Sequence, residues 1–99
     1  MEKWSAFPLK ELNFELFMEE QQMNEAELKA WNTFKIKPEL WLCDDVFESY
    51  FWVVAHTDNQ TIFYNDILEN FSIAPFRQKG QFIAYKATNQ TLIECLNSI

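Results

Sequence analysis

The sequence predicts an α+β fold: N-terminal helices, an antiparallel sheet of three to four short strands, and a C-terminal helix packed on that sheet. Three observations carry this expectation. No Val, Ile or Thr precedes Thr33, while Leu, Glu, Met, Gln and Lys dominate residues 9–28, the composition of good helix formers. Residues 39–43, 50–57, 61–64 and 81–87 are short aromatic and β-branched runs of strand type. Towards the C-terminus, Leu92, Leu96 and Ile99 repeat at core spacing with Cys95 alongside, behind Thr88 or Asn89 as a cap. With 99 residues, 48% of them hydrophobic, the chain is expected to fold as a single domain over residues 1–99.

In residues 8–20, Leu9, Leu12 and Leu16 fall on one helical stripe with Phe17 at its margin. Alternation of Leu12, Phe14, Leu16 and Met18 offers a competing strand pattern, and composition decides for helix. Asn24-Glu25-Ala26-Glu27 has the form of a capping box, so a second helix is expected to begin near Glu25. It should end by Lys37, because Pro38 drives its predecessor out of helical geometry. Asp58-Asn59-Gln60 supplies the turn of a hairpin over residues 50–64, and Lys79-Gly80 opens the last strand. Residues 65–79 receive no element, with Ala74-Pro75-Phe76 read as a rigid bend.

Eight Lys and Arg stand against fifteen Asp and Glu, a net charge of −7 that repels phosphate backbones and anionic membranes. Direct nucleic-acid and membrane binding are therefore not expected. Residues 1–48 hold eleven acids and five bases, so −6 of the −7 lies in that half. Glu11, Glu15, Glu19, Glu20, Glu25 and Glu27 fall within residues 11–28, where there is no Lys or Arg. Glu11, Glu15 and Glu19 stand at i, i+4 and i+8, where like charges cost about 0.2–0.5 kcal/mol per neighbouring pair. Phe14 and Met18 lie outside the Leu stripe and beside these glutamates. Acid with exposed aromatic is the composition of an interface, and these eight residues form the expected partner-binding set. The alternatives are a solvated helix face and, for the surplus of aromatic residues, self-association into a homo-oligomer.

Catalytic chemistry finds little support. A single glycine, Gly80, excludes phosphate-cradling loops and dinucleotide fingerprints, and no cofactor is expected. His56 is the only histidine. Pairing it with Cys43 as base and nucleophile, oriented by Asp44, Asp45 or Asp58, needs contacts that no spacing supports. A metal site on His56 and Asp58 lacks further ligands. Cys43 and Cys95 match no metal or redox spacing and are expected as buried, reduced thiols. No apolar run has signal-peptide or membrane-span length, so a cytoplasmic protein without catalytic activity is expected.

The strings Phe51-Trp-Val-Val-Ala55, Phe63-Tyr-Asn-Asp-Ile67, Glu69-Asn-Phe-Ser72 and Asn89-Gln-x-Leu92 resemble small bacterial immunity proteins of polymorphic or contact-dependent growth-inhibition toxin systems. The resemblance covers residues 38–97. It implies an intracellular antitoxin-type protein that binds one cognate toxin domain, often a nuclease, and occludes its active site. The acidic segment lies outside these strings, so its partner-facing role rests on charge. A nuclease must be basic to hold phosphate, and an acidic inhibitor can occupy the same groove. The competing functions are a phage-type nucleic-acid mimic that inhibits a host protein and a small Cys/His enzyme.

Overall fold

The computed structural model describes residues 7–43, 49–83 and 87–99. Two helices, α1 (Leu9–Gln22) and α2 (Glu25–Phe34), lead into β1 (Lys35–Cys43), β2 (Ser49–His56), β3 (Gln60–Asn65), β4 (Asn70–Gln78) and β5 (Gln81–Phe82), followed by α3 (Leu92–Leu96). The strands close into a barrel in the order β1-β2-β3-β4-β5, which corrects the expected open sheet of three to four strands. All neighbours are antiparallel except at the closure, where β5 meets β1 in parallel at Leu42 and Gln81. There the Leu42 N–H donates to the Gly80 carbonyl at 2.8 Å. Gly80 turns β4 into β5 at φ +98°, a conformation that side chains rarely adopt.

Closure needs curvature, and the register shifts between Lys35 and Glu39, Val53 and Ala55, and Phe76 and Gln78 supply it. The bulge in β2 leaves Val54 and Ala55 both on the outer side, after which His56 pairs with Thr61. β4 fills most of residues 65–79, which received no element, and runs through Ala74-Pro75-Phe76 where a rigid bend was expected. Pro75, opposite Gln60 at the end of the β3–β4 ladder, is tolerated there because a strand end can omit one donor. α2 ends at Phe34, within the expected limit of Lys37, because Lys35 already pairs with Ala55. The expected strand over residues 81–87 is paired only at Gln81–Phe82, and Ala84 to Lys86 lie outside the described residues. α3 takes Thr91 as its cap, not Thr88 or Asn89, with Thr91 and Glu94 forming a capping box.

The barrel wall separates two cores. Inside lie Trp41, Phe51, Val53, Phe63, Phe76 and Phe82, with Cys43 and Ala74 filling the narrow places. Outside, Leu12, Met23, Trp31, Val54, Ile62 and Leu92 join the three helices to β2, β3 and β4. β3 is consequently buried on both faces, from Thr61 to Asn65. Cys43 and Cys95 form no disulfide and are buried on opposite sides of this wall, which keeps them apart.

Ser72 also points into the barrel, opposite Phe63, and its Oγ has no hydrogen-bond partner among the described residues. A buried hydroxyl without a partner costs roughly 1–3 kcal/mol of desolvation. Ser72→Ala is therefore expected to raise stability by about 1 kcal/mol. Urea unfolding should show a higher midpoint at unchanged slope. A lower midpoint would show that the hydroxyl is bonded in solution.

Candidate functional site

α1 lies on the barrel through Leu12, which is fully buried, while Leu16 packs against the same core. Its entry is fixed by Trp52, whose Nε1 donates to the Phe7 carbonyl at 2.7 Å. Residues three and four apart on a helix share a face, and Leu12 and Phe14 point in nearly opposite directions. Phe14, Phe17 and Met18 accordingly face outwards, 61%, 54% and 46% exposed. Phe17, which the Leu spacing placed at the margin of the inward stripe, thus belongs to the outer face. Its position three residues after Phe14 was the signal for the outer face.

The six glutamates divide into two groups. Glu19 Oε1 accepts from the Leu92 N–H at 2.7 Å and so ties α1 to the start of α3. Glu20 Oε2 accepts from Trp31 Nε1 at 2.7 Å, joining α1 to α2. Glu27 closes the α2 capping box with Asn24, and its other oxygen accepts from Asn97 Nδ2 at 3.3 Å. These three carboxylates are structural. Glu11, Glu15 and Glu25 are exposed, and Glu11 and Glu15 border the Phe14–Met18 stripe. The structure therefore brings together Glu11, Glu15, Phe14 and Met18, adds Phe17, and turns Glu19, Glu20 and Glu27 to internal bonds. Glu25 stands apart on α2.

A second apolar surface lies on β1 and β2, where Leu40, paired with Trp52, and Tyr50 are exposed. The adjoining cleft is lined by Glu39, Leu40, Trp41, Lys79 and Gly80, one acid beside one base.

No family model, curated protein or solved structure matches the chain. Its chemistry must be read from its own geometry. His56 packs against Trp41 and Phe76, with ring centroids 5.9 and 5.5 Å away, and its Nδ1–H donates to the Thr57 carbonyl at 2.9 Å. Cys43 pairs with Ser49, seven residues from His56 along β2, which places the two near opposite ends of the strand, about 20 Å apart at the rise of an extended chain. They cannot serve as nucleophile and base for one another. Asp44 and Asp45 lie outside the described residues, and Asp58 is exposed in the β2–β3 turn. Burial, followed by Glu94 and Glu19, pushes the Cys95 thiol up to about 12, leaving it protonated and unreactive at neutral pH. No three His, Cys, Asp or Glu among the described residues are placed to hold a metal ion. Among the same residues, no helix is long and apolar enough to cross a membrane.

Proposed function

We propose that the protein is an immunity or antitoxin-type inhibitor that binds a basic toxin domain, a nuclease by its chemistry, and meets it with the outer face of α1. The observation that supports this reading is the Phe14–Phe17–Met18 stripe, exposed on a helix whose opposite side already serves the core. Desolvating a large apolar side chain contributes about 1.5–3 kcal/mol, and among the described residues this surface stays uncovered. Glu11 and Glu15 beside it match the electrostatics of a phosphate-binding groove. Their mutual repulsion in the free protein is relieved when a cation comes between them.

An inhibitor that must act before its toxin cuts benefits from electrostatic steering, which accelerates association by 10- to about 1,000-fold. Glu11→Lys with Glu15→Lys is expected to slow association with the toxin captured from the native host by about tenfold at low salt. The difference should vanish near 1 M salt, where the screening length is about 3 Å. Glu19 is excluded from this variant, because reversing it would strip the Leu92 N–H of its partner and disturb α3. Stopped-flow rates that match the parent protein at both salt concentrations would remove α1 from the interface.

A further inference from the structure

The outer face of α1 carries opposite charge on its two borders. Residues three, four and seven apart lie in line along a helix, so Glu11, Glu15 and Met18 run down one side of Phe14. Lys10, Asn13 and Phe17 run down the other. Beyond Asn13 the surface drops into a cleft of about 370 Å³, which Asn13 and Leu16 line together with Lys35 and Lys37 of β1. Ile36 packs against the barrel interior, so the lysines on either side of it point outwards, and both are exposed. The acid of this cleft, Glu20, is already held by Trp31 Nε1 at 2.7 Å. An exposed apolar stripe thus separates Glu11 and Glu15 from Lys10, Lys35 and Lys37 along the same turns of helix.

A basic groove answers only the first border and leaves the three lysines without a counterpart. A partner that answers both must present an apolar stripe with bases on one side and acids on the other. The chain itself has that pattern. We infer that the outer face of α1 binds a second copy of the chain, in a two-fold dimer whose α1 helices run side by side in the same direction. A two-fold interface sets one patch against itself, and the direction of the axis decides which border meets which. An axis across the helices would set Glu11 and Glu15 against their own copies. An axis along them sets the acids of each copy against the bases of the other, with Phe14, Phe17 and Met18 buried between.

The contact is small. At 1.5 Å per residue, the 14 residues of α1 are about 21 Å long, and a strip about 10 Å wide covers roughly 200 Å² per copy. A stable interface takes about 800 Å² from each partner, so the dimer is weak even with its charged borders included, with a Kd between about 1 μM and 1 mM. The inference does not rest on the toxin. Both would occupy the same face, so a bound toxin excludes the second copy.

Sedimentation equilibrium of the full chain alone, from about 10 μM to about 1 mM, tests this. A monomer–dimer equilibrium is expected, weaker by at least about tenfold near 1 M salt and in Phe14→Ala. Glu11→Lys with Glu15→Lys makes both borders basic, and Lys10→Glu with Lys35→Glu and Lys37→Glu makes both acidic. Each reversed variant alone should associate at least about tenfold more weakly than the parent, and an equimolar mixture of the two should recover parental affinity or exceed it. Circular dichroism and thermal melting confirm that each is folded. Gln21→Cys changes no charge and lies seven residues after Phe14 on the same face. Under mild oxidation it should form a disulfide between copies, because parallel helices bring Gln21 beside its own mate.

A parent protein that stays monomeric at about 1 mM would overturn the dimer. A dimer unaffected by either set of reversals, or a mixture no tighter than its components, would overturn the pairing of the borders. Failure of Gln21→Cys to cross-link, in a sample that sedimentation shows to be dimeric, would overturn the parallel arrangement even if a reversed variant did not fold. The toxin is absent from every measurement, so these outcomes leave the reading of α1 as its contact face to be judged by the toxin's own rates.

Discussion

Replacing Phe63 with alanine is expected to destabilise the protein by about 3–5 kcal/mol. Phe63 is 1% exposed at the centre of the barrel, where its ring lies 5.3 Å from Phe51 and 4.9 Å from Phe82. Its ladder neighbours are Val53 and Ser72, both too small to fill the space it would leave. Truncation therefore removes the burial of the ring and opens a cavity that a closed barrel cannot collapse around. Domains of this size hold roughly 5–15 kcal/mol in total, so the loss takes a large share of the stability. At about 4–8 °C per kcal/mol, the melting temperature should fall by at least roughly 12 °C. Phe63→Leu, which keeps most of the volume, should lose much less. Calorimetry showing under about 1 kcal/mol for the alanine variant would contradict a packed interior around this ring.

Phe14→Ala should leave the fold almost untouched and damage recognition. A 61% exposed side chain contributes little to stability, so the folding change should stay within about 0.5 kcal/mol. At the centre of an interface, an aromatic anchor typically carries about 2–4 kcal/mol, or roughly 30- to 1,000-fold in Kd. The loss should appear as faster dissociation, because the ring acts after encounter, whereas Glu11 and Glu15 act on approach. Surface plasmon resonance with the captured toxin separates the two rates. A dissociation rate within twofold of the parent would place the binding anchor elsewhere, with Leu40 and Tyr50 the next surface to test.

The sequence made the helices and several strands legible but not the closed barrel they build, and the misses have specific causes. The α2 start was readable because Asn24 and Glu27 form a local device whose partners lie within four residues. Barrel closure was hidden because it depends on a single parallel pair between Leu42 and Gln81, far apart in sequence and without a marker in either residue. β4 was hidden by Pro75, which signals a bend unless it falls where a strand can omit a donor. Glu11, Glu15 and Glu19 recur at identical spacing, and nothing local tells Glu19 that the Leu92 N–H will arrive at its oxygen. The outer stripe was half visible: Phe14 and Met18 declared themselves, and Phe17 was masked by its nearness to the leucines.

The double-sided burial of β3 also decides how the molecule comes apart. Its outward residues Ile62 and Tyr64 belong to the helical layer, while Phe63 belongs to the barrel, so neither layer can peel away without wetting the same strand. Helices and barrel should then melt in one transition, with the β3 amides last to exchange their hydrogens. A toxin bound to α1 would be felt at the opposite side of the wall. Its binding energy would slow opening of the whole chain by mass action, including regions it never touches. An inhibitor built this way becomes a poorer substrate for host proteases once occupied, so its lifetime in the cell would report how much of it is engaged.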